Sequence, residues 1–316
     1  MKSKISILIL FFSSLIGYSQ IGPNDDAVFI DSLDNIGTEE NYKFIRVVKD
    51  FTEEKELYDV AFYYKSGKIE RRAITSNKYL MSYEGSCLYF YENGKKKKTE
   101  NYSGNQILGK QFEWYENGTI KSESEVIVDE KTKKNITKIV HFWNANNQQK
   151  VINGEGEYEE LIVLPKDSIF IQGQVKDFRK NGVWKTKYTF NKQTTNEIYK
   201  NGIFISGLTI DENGKKYPYN LPSEKPQPRN GMKDFYDFIS RNYKTPNVTG
   251  LGGLIYLTFI IEKDGKITDI KVLKDIGFGS GIEAIRVLSQ YGYWLPGKER
   301  GVPVRVMYSL PITIHG

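Results

Sequence analysis

The 316-residue chain has one cysteine, two histidines and ten prolines. With Cys87 alone there is no internal disulfide, so the fold must rest on packing. With only His141 and His315, no Cys/His cluster stands at zinc spacing. No serine is framed by a nucleophile-elbow motif, and no two carboxylates are paired by the sequence as acid and base. The chain is therefore expected to be no enzyme and to hold no cofactor and no metal. After Ile16 there is no apolar run long enough to span a bilayer. Charge of one sign is also scarce. The net charge of +6 falls to +4 without Lys2 and Lys4, too mild to argue for a nucleic-acid partner, which calls for a concentrated basic face.

What is abundant is tyrosine (22) and phenylalanine (17), and helical patterns are few, which favours β structure. The length suggests about two domains. Met1 to Ser19 reads as a secretory signal: Lys2 and Lys4, an apolar middle from Ile5 to Ile16, and a small-x-small site at Gly17-Tyr18-Ser19. These twelve residues make about 18 Å of helix against a hydrocarbon core of about 30 Å. Cleavage near Ser19/Gln20 and export to the periplasm or outer membrane are expected, with a retained anchor as the alternative. Asp25 to Asp34 reads as a lead-in strand or helix. Cys87 lies in the strand-like run Ser86–Phe90 and reads as a small buried hydrophobe. His141, in His-Phe-Trp, reads as a strand-edge imidazole.

From about Lys43 to Lys216 the chain repeats. Phe62-Tyr-Tyr-Lys-Ser-Gly67, Phe90-Tyr-Glu-Asn-Gly94 and Trp114-Tyr-Glu-Asn-Gly118 share an aromatic-aromatic-x-x-Gly core, and Phe142-Trp143-Asn-Ala-Asn146 continues it in degraded form. Asn181-Gly182, Asn201-Gly202 and Asn213-Gly214 echo the turn. A period of this kind signals stacked supersecondary units. The turns are tight, the aromatics fill the face against the next unit, and no hairpin buries enough to stand alone. Residues 20–216 should form an elongated meander of hairpins. Lys95, Lys96, Lys97 and Lys98 follow one turn. They suit an anionic surface or, alternatively, a solvated strand end that discourages edge pairing.

Tyr217 to Pro228 carries four prolines and reads as a stiff extended connector of about 35 Å, giving a linker over 217–230. Beyond it, at 231–316, the pattern changes. Phe235, Phe238 and Ile239 suit a helix. Gly253 opens a strand that turns at Asp264-Gly265. A two-residue turn there sets Lys263 opposite Lys266, Phe259 opposite Ile270 and Leu257 opposite Val272. Ser280 and Glu283 have the spacing of a capping box before a second helix that stops at Gly292. A last strand is expected from about Val304 to Ile312. Gly277-Phe-Gly-Ser-Gly281 precedes the helix and reads as a structural loop; an anion site is the alternative.

The positions Gly253, Phe259, Asp264, Gly265, Trp294, Pro296, Gly297, Gly301, Pro303 and Val304 follow in the order of the TonB family's C-terminal domain, which residues 231–314 resemble. The cores at Tyr64, Gly67, Lys68 and at Tyr91, Gly94, Lys95 resemble MORN repeats. Together the resemblances imply an α+β chain: a β-rich hairpin-repeat domain, then a small two-helix, three-stranded antiparallel domain. The TonB resemblance implies an extended segment of an outer-membrane transporter or other envelope protein as partner. That segment would be bound by strand addition along Val304, Arg305, Val306, Met307 and Tyr308. Trp294, Pro296, Gly297, Gly301 and Pro303 would hold the turn that positions this strand. The MORN resemblance implies an interaction scaffold, at times on membrane surfaces.

Overall fold

The same hairpin turn recurs four times along one end of the strands. Gly67, Gly94, Gly118 and Asn147 each donate their N–H to the carbonyl three residues back, on Tyr64, Tyr91, Tyr115 and Asn144, at 2.8–2.9 Å. All four lie in the left-handed region, as a type I turn closed by a bulge requires. The computed structural model that shows this describes residues 21–314 apart from 33, 131, 132, 165 and 293. The signal reading of Met1–Ser19 and the tail residue His315 lie outside the described residues.

The chain forms two units, one of 21–161 with 172–181 and one of 162–171 with 182–314. In the first, the strands Phe44–Val48, Tyr58–Tyr64, Ile69–Asn77, Ser82–Phe90 and Lys96–Ser103 pair in sequence order, each antiparallel to the last. Gly109–Trp114, Ile120–Val128, Asn135–Trp143 and Gln149–Ile152 continue the meander. Its apolar core gathers Ile30, Phe44, Val48, Tyr58, Val60 and Phe62. The acidic lead-in forms the strand Asp26–Ile30 on Phe44–Val48. The turn aromatics do more than fill space. The hydroxyls of Tyr64, Tyr91 and Tyr115 each donate to a carbonyl at the entry of the next such turn, on Phe90, Trp114 and Trp143, at 2.7–2.8 Å. The strand ends are thereby linked rung by rung. At the opposite end the turns vary. Gly104-Asn105 and Asn153-Gly154 are two-residue turns with positive φ at both residues, whereas Lys78–Met81 is longer.

In the second unit Gly182–Lys187, Thr194–Lys200, Ile203–Ile210 and Lys216–Tyr219 form a further meander. Asn201-Gly202 and Gly214 make turns there, as expected. Asn181-Gly182 does not: it lies inside the strand Arg179–Tyr188. Helices α1 (Gly231–Asn242) and α2 (Ser280–Gln290) share one core with a three-stranded antiparallel sheet. In that sheet the strand Gly253–Ile261 is central, flanked by Ile267–Lys274 and Val306–Ile314. Alternation explains the layering. Ile255, Leu257, Phe259 and Ile261 point one way with Leu310, Ile312 and Ile314, and all are buried with Phe235, Val287 and Leu288 from the helices.

Local expectations in this region need correction. The Asp264-Gly265 turn is one residue longer than a two-residue hairpin. Glu262, not Lys263, closes it against Lys266, and Gly265 donates to the Glu262 carbonyl. Leu257 does face Val272, because a bulge at Asp269 (φ 50°) restores the register that the longer turn shifts. Phe259 has no partner on that strand and faces Tyr308 instead. Ser280 and Glu283 form no capping box: Ser280 bonds Asp275, and the Glu283 carboxylate binds Arg286 and the Lys244 N–H. The proline-rich stretch is paired rather than free. Ser223 and Glu224 face Glu299 and Lys298, and Gln227 and Pro228 face Leu295 and Trp294.

Candidate functional site

The second unit offers one unguarded sheet edge. Among the described residues the strand Val306–Ile314 pairs only with the central strand, along all nine residues. The opposite edge, Ile267–Lys274, is blunted by the Asp269 bulge and by Lys271 and Lys274, devices that discourage strand addition. The first five residues of the final strand, Val306-Met-Tyr-Ser-Leu310, carry no charge and no proline. Met307 is 68 % exposed. Tyr308 leans to the helix side, its hydroxyl 3.9 Å from the Met232 sulfur, and Tyr236 stands half-exposed on the same helix. The edge is thus bordered by an aromatic and thioether surface. Pro311, opposite Tyr256, limits it. A proline fits an edge strand where its missing N–H faces away from the neighbour, which leaves the free edge without a donor at that point.

The expected docking residues divide. Val306, Met307 and Tyr308 lie on this edge. Val304 does not: it pairs with Gly297 in the hairpin of Gly297–Glu299 with Val302–Val304. Arg305 stands between the two strands and binds Glu262 at 2.9 Å. The expected positioning residues meet at one place. Trp294 is fully buried, its ring 5.0–5.7 Å from those of Phe235, Phe259 and Tyr308. Its main-chain N–H donates to the Gly265 carbonyl at 2.9 Å. Gly253 opens the central strand, Asp264 accepts the Lys266 N–H, and Gly301 (φ 78°) turns the hairpin that Pro303 enters opposite Lys298. Pro296 separates the short strand Trp294–Leu295 from Gly297–Glu299. The Asp-Gly turn and the Trp-x-Pro-Gly segment are therefore one piece of structure beneath the edge strand.

Sequence reasoning missed a buried latch. Glu197 accepts hydrogen bonds from the Tyr199 and Tyr219 hydroxyls, each at 2.9 Å, and from Arg300 Nε at 3.0 Å. The Thr209 hydroxyl donates to the Arg300 carbonyl at 2.7 Å. This cluster ties the 182–219 meander to the hairpin after Trp294. Burial alone would raise the Glu197 pKa. The two tyrosine hydroxyls and the Arg300 guanidinium outweigh it and hold the carboxyl below its ordinary value. The signal was present as Glu-x-Tyr, which sets both side chains on one strand face. Glu100-x-Tyr102 and Tyr158-x-Glu160 repeat it, with hydroxyl–carboxylate distances of 3.0 and 2.6 Å.

Other candidate groups are engaged locally. Lys95 donates to the Asn117 carbonyl, Lys96 and Lys97 lie 5.7 Å from the Trp114 and Tyr91 rings, and Lys98 pairs with Glu100 at 2.6 Å. The run is not a set of four free ammonium groups. In the Gly277–Gly281 loop the Asp275 carboxylate accepts from Gly277 N–H, Gly281 N–H and the Ser280 hydroxyl, so the chain fills that anion niche itself. His141 Nδ1 accepts from the Asn153 N–H and lies 3.1 Å from Gln149 Nε2. Among the described residues no His, Cys, Asp and Glu group could hold a metal ion, and no helix is long and apolar enough to cross a membrane. Comparison with family models, characterised proteins and solved structures finds no match to this chain.

Proposed function

We propose that the chain is an exported envelope protein whose C-terminal sheet binds an extended segment of an envelope or outer-membrane partner by strand addition. The reading rests on the uncharged edge Val306–Leu310 beside a guarded opposite edge. Main-chain bonds supply affinity in this mode and side-chain pockets supply selectivity. The resemblance of 231–314 to the TonB family supports the same partner, a transporter segment. Pro311 sets the length: the partner pairs with about five residues and not with the whole strand. Its residue next to Tyr308 is apolar, to match Met232 and Tyr236. If the N-terminal segment is cleaved, the protein binds without pulling. If it is retained, force transfer to a transporter becomes available.

The test is the change Ser309→Pro, which places on the edge the same block that Pro311 already provides. Cross-linked pull-downs from cell envelopes should recover a partner with the wild type and lose it with this variant. Recovery of the same partners by both would sink the reading. A second reading, a scaffold acting through the MORN-like repeats at a membrane or wall surface, draws support from the tyrosine rungs that stiffen those turns. It expects partners that survive Ser309→Pro.

A further inference from the structure

Two strands of the chain carry outward stripes that match each other in pitch and oppose each other in charge. On Glu155–Leu164 the residues Tyr158 and Glu160 turn inward, while Glu157, Glu159 and Leu161 are exposed. On Arg179–Tyr188 Trp184 is buried, and Val183, Lys185 and Lys187 face the other way. Among the described residues none of these four charges stands in an ion pair. Toward the strands that follow, the lysine stripe has no carboxylate neighbour. Val183, Lys185 and Lys187 are flanked by Ile198, Asn196 and Thr194, then by Ser206, Leu208 and Ile210. Pro218 and Lys216 come next on that side. Apolar groups are open on both stripes: Leu161 is 56 % exposed and Val183 60 %.

We propose that this face binds a second copy of the chain, Val183–Lys185–Lys187 of one copy meeting Glu157–Glu159–Leu161 of the other. Alternate residues of a strand stand about 7 Å apart, so two carboxylates and two ammonium groups fall into step. With the two strands antiparallel across the interface, Glu157 meets Lys187, Glu159 meets Lys185, and Leu161 covers Val183. Each of these charges then gains the partner it lacks within its own chain, and the two apolar ends leave water together. The association is independent of the free edge at Val306.

Sedimentation velocity on the full chain tests this. At low salt the wild type should self-associate, and about 0.5 M salt, with a Debye length well under 8 Å, should weaken association at least about tenfold. The double variants Lys185→Glu/Lys187→Glu and Glu157→Lys/Glu159→Lys should each be monomeric, and an equimolar mixture of the two should associate again. Circular dichroism reports whether each variant is folded. If one is not, the salt series on the wild type decides alone. A wild type that stays monomeric at low salt overturns the proposal. So does association indifferent to salt, or association that folded reversed-charge variants keep.

Discussion

Gly265 joins two segments that lie 29 residues apart in the chain. A Cβ there would stand 2.0 Å from the Trp294 carbonyl oxygen, and φ is 86°. Gly265→Ala should therefore lower stability by about 3 kcal/mol or more, because backbone has to move. Gly94→Ala should cost only about 1 kcal/mol, for there φ is 86° but nothing lies within reach of the new atom. Urea midpoints of the two variants give the comparison; equal losses would mean that the contact with Trp294 is relieved at no cost. Cys87 is 1 % exposed and its thiol is pushed up to about 11, chiefly by burial. A disulfide reagent at pH 8 should leave it unmodified in the folded protein and label it once the chain is unfolded. Glu197 gives a pH signature. Its folded pKa lies below its ordinary value, so its contribution to stability is complete above about pH 4.3 and is lost as pH falls through the folded value. Glu197→Gln should be less stable at neutral pH and should lose stability less steeply between about pH 5 and pH 3. Parallel curves for the two proteins would mean that the latch carries no charge of its own. At this scale the sequence was legible where chemistry is local, as in the buried Cys87 and the turn glycines at 67, 94 and 118. It was silent on Glu197 with Arg300, since 103 residues separate them and only the fold brings them together.

Among elements, the hairpins were legible because turn and alternation agree. The helices were found from apolar spacing: Phe235, Phe238 and Ile239 lie on α1, and the span from Ser280 to Gly292 brackets α2. What failed was the detail of endings. Ser280 and Glu283 have capping-box spacing, yet Asp275 and Gly279 already occupy that terminus, so a nearby competitor displaced the expected partners. The Asp-Gly turn took the longer form because Asp269 can supply a compensating bulge. The tyrosine rungs permit a direct test. Tyr91→Phe keeps the ring and removes only the bond to the Trp114 carbonyl, which leaves a net loss of about 1 kcal/mol. Tyr64→Phe and Tyr115→Phe should lose similar amounts. Chemical denaturation of the triple variant shows whether the rungs act independently, in which case the three losses add, or as one network, in which case they do not.

For the whole chain, composition and repeat spacing made the β-rich class legible, and the change of pattern after residue 230 marked the helices and the small sheet. The pairing of the connector was not legible, for a physical reason. Proline removes donors and fixes φ, but it leaves its own carbonyl and the donors of its neighbours free to pair, and Ser223–Pro228 uses them. The residues beyond 230 therefore share a latch with the 182–219 meander and two short strand pairings with 223–228. Arg300→Ala should speed amide exchange in 194–210, well away from the substituted residue. Unchanged exchange there would show that Gln227 and Pro228 hold the join without help.

The rungs in the first unit occupy a single margin. Along it, hydroxyls cross from each turn to the next; along the other the bonds follow no repeat, with the Lys78 ammonium donating to the Phe51 and Glu53 carbonyls, Gly104 N–H to the Glu84 carboxylate and Asn153 N–H to His141. A sheet stitched at an even step along one margin keeps that margin regular, while the other takes the spacing its separate turns dictate. The two ends of the same strands thus supply a uniform border and a varied one.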